Sequence, residues 1–143
     1  MTRDPEKTPA PQEPVLLTLT PTHQYFHPLK TLPIFPNQTL NIGRFVGTDE
    51  TLPERDNGYY ESPAMSRRHC IFFSTCDGDD RKLFIQDLGT LNGTYLNGTR
   101  LGTEGHASVP VPVEGGDCIV FAHNVSMEGV LYTSVEVKVD IEY

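Results

Sequence analysis

The sequence predicts an all-β domain, an antiparallel sandwich or barrel, on three observations. Short runs rich in β-branched and aromatic residues recur, separated by turn residues, at the spacing of a strand-and-turn fold. Pro and Gly number 12 each in 143 residues and the apolar fraction is only 37%, which favours many turns over long helices. No segment sustains a helical apolar period with capping residues, and no internal repeat is present. The length fits one domain that can bury an ordinary core.

Taken in order, residues 1–14 are Pro-rich and charged without apolar periodicity, and read as a disordered leader to a domain at 15–143. Val15 to Thr20, VLLTLT, is a strand of β-formers. Short apolar pieces follow, punctuated by Pro28, Pro33 and Pro36. Thr39 to Arg44, TLNIGR, alternates as a second strand. Residues 47–63 form a polar insert, acidic through Asp49, Glu50, Glu54, Asp56 and Glu61, and read as a surface loop. HCIFFS and KLFIQDL are strands joined by the turn TCDGDD. Asn97-Gly98 between two short apolar ends is a strong hairpin signal, and Asn92-Gly93 marks a tight turn just before it. GGDCIVFA is a turn and a strand. SVEVKVDIEY alternates, with Val135, Val137, Val139, Ile141 and Tyr143 on one face.

Charge and cysteines narrow the function. A net charge of −8 argues against a nucleic-acid backbone as partner, although a local basic patch can still form. Three cysteines occur without a CxxC pair. Cys70 and Cys118 lie in apolar runs and read as buried free thiols, which fits a reducing compartment. Sequons begin at Asn37, Asn92, Asn97 and Asn124. The first residues lack the apolar core of a signal peptide and no run approaches a membrane span, so the sequons read as by-products of turns.

Three loops hold the conspicuous polar residues: Gly43-Arg44, Ser66-Arg67-Arg68-His69, and Gly89 to Thr94. Arg44 and Arg67 offer planar forks suited to phosphate oxygens, Ser66 a hydroxyl, and Asn92 an amide that pairs with peptide backbone. Arg67 and Arg68 cannot both face one way on extended chain, so Arg67 is assigned to the site and Arg68 to solvent. A Ser66–His69 hydrolase would need an orienting acid and an oxyanion hole, and no G-x-S-x-G elbow is present. His23 and His27 have half of a metal spacing but no cysteine pair completes it, and no phosphate-binding Gly motif occurs. The expectation is a binding module and no enzyme, with no metal and no cofactor.

The order Gly-Arg, Ser-x-x-His, Thr-x-Asn-Gly, Asn-Gly resembles the forkhead-associated (FHA) domain, with GGDCIVFA similar to the strand near the family's C-terminal end. The resemblance runs from about Val15 to Tyr143. It implies an antiparallel β-sandwich of about eleven strands, of the FHA/SMAD-like class, that reads phosphothreonine peptides through its loops. By position, Arg44, Ser66, Arg67, Leu91 and Asn92 would face the peptide. Gly43, His69, Thr90 and Gly93 would shape the loops, and Asn97 and Gly98 the hairpin behind them. Leu91 stands where some relatives carry a hydroxyl that reaches the phosphate, so that contact would be missing. Specificity would rest on Ala64, Leu91, residues 102–116 and the 123–129 turn.

The run DNGYYESPAMSRRH with its preceding insert is similar to the sarcolemmal membrane-associated protein group and its fungal relatives. That likeness implies a signalling scaffold of STRIPAK-type phosphatase–kinase assemblies, with a coiled coil and tail anchor beyond Tyr143. Expected partners are phosphothreonine proteins, kinases or phosphatase-complex subunits among them, with no nucleic acid and no direct membrane contact by this domain. The expected location is cytoplasmic, at an internal membrane, with the nucleus as alternative. The competing expectation is a phosphate-independent scaffold or dimerisation domain of the same fold.

Overall fold

A computed structural model describes residues 13–23, 27–48 and 52–143. The proposed leader falls almost entirely outside them, as do Asp49 and Glu50 of the insert. Thirteen strands follow in chain order: β1 (Val15–Pro21), β2 (Lys30–Ile34), β3 (Thr39–Arg44), β4 (Tyr59–Tyr60), β5 (Cys70–Asp77), β6 (Asp80–Asp87), β7 (Thr94–Leu96), β8 (Thr99–Leu101), β9 (Val111–Val113), β10 (Cys118–Phe121), β11 (Val125–Met127), β12 (Val130–Tyr132) and β13 (Val135–Glu142). There is no helix among the described residues.

The strands form a β-sandwich. One sheet has the order β2-β1-β13-β10-β7-β8, the other β4-β3-β5-β6-β9, and β11 and β12 make a separate ribbon. Every strand pairing is antiparallel except β3 with β4. Period-2 alternation builds the core: Val15, Leu17 and Leu19 of β1 and Val135, Val137 and Val139 of β13 are wholly buried. All of these but Val15 join Ile42, Phe72 and Ile85 of the other sheet and Phe121 of β10 in one apolar cluster. Each such side chain contributes roughly 1.5–3 kcal/mol on burial. Along β13 the alternation fades, and Tyr143 beyond its end is 55% exposed. Pro33 and Pro112 sit in β2 and β9, both sheet edges, where a missing N–H costs no ladder bond.

Two expectations are corrected. The 47–63 insert is not surface loop throughout, because its second half is plated onto the sheet. Tyr60 is wholly buried, and the Thr31 amide donates to the Arg55 carbonyl at 2.8 Å. Lys30 Nζ donates to the Glu54 carbonyl at 2.5 Å and lies 4.6 Å from the centre of the Tyr60 ring. Burial holds the Lys30 ammonium down to about 8, against the pull of the Asp56 and Glu54 carboxylates. At Gly58 a Cβ would lie 2.0 Å from the Asn41 carbonyl oxygen, so only glycine lets β4 approach β3.

Cys118 is the second correction. Cys70 is buried as expected, but Cys118 is only half-buried, and Cys76 is exposed. Cys118 directly precedes the buried Ile119, so alternation turns it to the outer face. His23 pairs with Glu136 at 3.3 Å, and His27 meets the Tyr60 ring edge-on at 5.8 Å. No His/Cys/Asp/Glu group able to hold a metal occurs among the described residues.

Candidate functional site

The loops at one end of the sandwich are assembled around a buried carboxylate. Asp87 ends β6 and has no exposed surface. Its Oδ2 accepts from the Gly89 amide at 2.9 Å and the Thr90 amide at 3.1 Å, an Asx-type turn. Its Oδ1 accepts from the hydroxyls of Thr90 at 2.8 Å and Thr94 at 2.7 Å. The Asp87 backbone is held from the other side by Ser108, whose Oγ accepts the Asp87 amide at 3.0 Å. A buried charge is tolerable only when its oxygens are saturated in this way. Thr90 then accepts the Gly93 amide on its own hydroxyl at 3.0 Å, which closes the loop. Arg100 of β8 caps it by donating to the Thr90 and Leu91 carbonyls at 3.0 and 3.2 Å.

His69 ties this loop to its neighbour. Its Nδ1 accepts the Ser66 amide at 3.1 Å, so the proton sits on Nε2, which meets the Gly93 carbonyl at 2.8 Å. The ring stands edge-on to Phe121 at 6.2 Å. Burial holds the imidazole below its ordinary value, against opposing pulls from the Gly93 bond and Asp87, so the neutral form prevails at pH 7. Both nitrogens are spent on backbone and neither addresses the Ser66 hydroxyl, so no nucleophile–base pair forms.

Arg44 leaves the end of β3 half-buried. Its amide donates to the Ser66 carbonyl at 3.0 Å, which fixes the distance between the first two loops. Gly43 makes that approach possible, since a Cβ there would lie 1.8 Å from the Arg67 carbonyl oxygen. Asn92 links the second loop to the third: its Nδ2 donates to the Ala64 carbonyl at 2.8 Å. Asn97 and Gly98 have φ of 50° and 86°, the left-handed pair of a tight hairpin. The Asn97 side chain also grips β10, donating to Asp117 and accepting the Cys118 amide.

Arg44 and Arg67 line one open groove of about 460 Å³ with Phe45, Glu61, Ser62 and Pro63. Neither guanidinium has a hydrogen-bond or ion-pair partner among the described residues. Arg68 is exposed and does not line the groove. Ser66 and Asn92 are not among the groove lining: Ser66 is half-buried and accepts the Arg44 amide on its backbone carbonyl, and Asn92 donates to the Ala64 carbonyl beside Pro63. Leu91 is 59% exposed and stands apart from the groove lining. Sequence reasoning missed Asp87, Thr94, Arg100 and Ser62. An Asp two and three residues ahead of Gly89-Thr90 was the available signal for the first; the others carried none.

With the geometry in place, comparison with known proteins decides the family. A sequence model of the FHA domain matches residues 40–122, more than half of the chain. The chain belongs to the FHA domain family. The matched segment runs from β3 to the end of β10; β1, β2 and β13 outside it complete the six-stranded sheet. An uncharacterised protein of Schizosaccharomyces pombe is 32% identical over 127 residues, 88% of this chain and 41% of its own length. The sarcolemmal membrane-associated protein of Mus musculus is 28% identical over 100 residues, 70% of this chain and 11% of its own length. The chain thus spans less than half of either relative.

Solved FHA structures share the fold. The MEK1 FHA domain in complex with a HOP1 phosphothreonine peptide aligns with a TM-score of 0.56 at 22% identity, over 92% of this chain and 99% of that one. The N-terminal FHA domain of RAD53P from S. cerevisiae, also in complex with a phosphothreonine peptide, aligns with a TM-score of 0.53 at 16% identity. That alignment covers 87% of this chain and 93% of that chain.

Proposed function

We propose that this FHA domain reads phosphothreonine peptides at the groove between the ends of β3 and the β4–β5 loop. One observation carries the reading: Arg44 and Arg67 line a single open groove without a partner for either guanidinium among the described residues. Two like charges in one groove, neither ion-paired to the Glu61 carboxylate that also lines it, favour capture of an anion, and a dianionic phosphate suits two planar forks. This cationic groove lies on a chain of net charge −8, so it is local and built. Ser66 supplies a hydroxyl donor. Asn92 spends its amide N–H on Ala64 and keeps its carbonyl oxygen for the main chain of a peptide.

The phosphothreonine complexes of the two FHA structures above support this assignment, and the likeness to the sarcolemmal membrane-associated protein supports a place in a phosphatase–kinase scaffold. The site is a receptor without chemistry of its own, its histidine being locked to backbone. Titrating one peptide in phosphothreonine, phosphoserine and unmodified forms tests the reading. Binding should require the phosphate and favour threonine; equal binding of all three forms would overturn it.

A second reading, phosphate-independent scaffolding, is favoured by the β11–β12 ribbon, where Met127, Val130 and Leu131 are 44%, 50% and 59% exposed. Partner capture that is unchanged in Arg44→Ala would establish it.

A further inference from the structure

We infer that a second subsite, beside the arginine groove, takes a lysine or arginine side chain of the same peptide, with its cation against Glu61 and Ser62. The inference rests on the phosphothreonine reading and extends it to what flanks the phosphate.

A cavity of about 200 Å³ lies where the end of the insert meets β12, lined by His27, Glu61, Ser62, Pro63, Leu131 and Tyr132. Glu61, Ser62 and Pro63 also line the arginine groove, so the two cavities stand on either side of one wall. A peptide bound at Arg44 and Arg67 needs only to cross that wall to reach the second cavity.

Two acceptors wait there. Glu61 is exposed and has no ion pair among the described residues, although two free guanidiniums line the same groove. Ser62 is 3% exposed, and its hydroxyl has no hydrogen-bond partner among the described residues. A buried hydroxyl without a partner is costly, and one in a cavity wall is satisfied when a ligand supplies the donor. A carboxylate and a hydroxyl together accept an ammonium or guanidinium.

The rest of the lining suits a long basic side chain. Leu131 and the half-buried Tyr132 offer apolar surface to an aliphatic stem while the head stays at the acidic wall. His27 adds no opposing charge at pH 7, because burial and the Lys30 ammonium hold it below its ordinary value against the pull of the Glu61 carboxylate. Lys30 itself is fully buried and bonded to the Glu54 carbonyl. An acidic side chain would meet Glu61 as a like charge, and an apolar one would leave both acceptors unpaired.

The test is a charge scan. Phosphothreonine peptides in a neutral background carry Lys, Ala or Glu at each of the positions flanking the phosphothreonine, and affinities are measured at low salt beside unmodified controls. At one position the wild type should bind the Lys peptide about fivefold more tightly than the Glu peptide, the scale of a partly exposed ion pair. Glu61→Gln should flatten that difference and Glu61→Lys should invert it. Glu61 is exposed, so neither variant should lower the thermal midpoint. Phosphate-dependent binding with a flat scan, or a Lys preference that survives Glu61→Gln, overturns the subsite and leaves the phosphothreonine reading standing. Binding that ignores the phosphate overturns that reading, and the subsite with it.

Discussion

The β6–β7 loop and the groove beside it are built on opposite principles. In the loop the central polar groups are saturated: four protein donors meet the Asp87 carboxylate, and His69 spends both nitrogens on backbone. Across the wall, Arg44 and Arg67 are held by backbone geometry alone and their charged ends meet nothing among the described residues. The first region gives up interaction capacity for rigidity, and the second keeps its capacity for a ligand. A receptor for a dianion needs both, since free cations placed on a loose loop would lose affinity to ordering.

This division predicts that damage to the saturated region appears as lost stability, and damage to the open one as lost affinity. The largest effect should come from Asp87→Ala, which strands two hydroxyls and two amides in the interior. A loss on the order of 4 kcal/mol is expected in urea denaturation; a loss below about 1 kcal/mol would break the comparison at its root.

Gly43→Ala sits on the boundary and should harm both properties. The Arg67 carbonyl must retreat from the new Cβ, which lowers stability by about 2–3 kcal/mol and displaces Arg44 and Arg67 together. Denaturation and peptide titration on the same preparation would show the joint loss.

Arg44→Ala should separate the two properties. Phosphothreonine-peptide affinity should fall about tenfold to a hundredfold, from the loss of one charge-assisted contact of roughly 1.5–3 kcal/mol. Stability should stay within about 0.5 kcal/mol of wild type, since no internal partner is lost.

A smaller effect concerns pH. Folding holds the His69 imidazole below its ordinary value near 6.5, as it does for His27. The unfolded chain therefore binds protons that the folded form resists. The stability from these groups is fully present above about pH 6.5 and is lost as pH falls below it. The stability that these groups contribute should therefore decline between pH 7 and 5 in urea denaturation, and His69→Gln should show a shallower pH slope than wild type.

The smallest change should come at Leu91. Leu91→Thr alters an exposed position that stands apart from the groove lining, so phosphopeptide affinity read by titration and the thermal midpoint should both stay where the wild type has them.

How much of this was legible beforehand follows the range of the interactions. The strands β1, β3 and β13 and the Asn97-Gly98 hairpin were readable, because alternation and left-handed turn residues act over a few positions. The two-residue β4 and the three-residue β11 and β12 were not, since so short a run carries no period and is decided by its partner. Of the residues named from spacing and family likeness, Arg44 and Arg67 line the groove, and Ser66 and Asn92 bond to the chain beside it. Asp87 was passed over as the polar end of a strand, although its donors Gly89, Thr90 and Thr94 all lie within seven residues of it; Arg100 was passed over as an ordinary hairpin residue, because it meets the Thr90 and Leu91 carbonyls only once the β7–β8 hairpin packs against the loop.

The sequence by itself determined the sandwich pattern, the turn conformations and the family, all written in local spacing. Only the tertiary structure decided which charges are satisfied and which are left open. Asp87 is saturated, while among the described residues the Arg44 and Arg67 guanidiniums and the buried Ser62 hydroxyl have no partner, and Glu61 stands between two cavities. Pairing depends on distance in space, and the residues concerned lie on loops that share no local pattern.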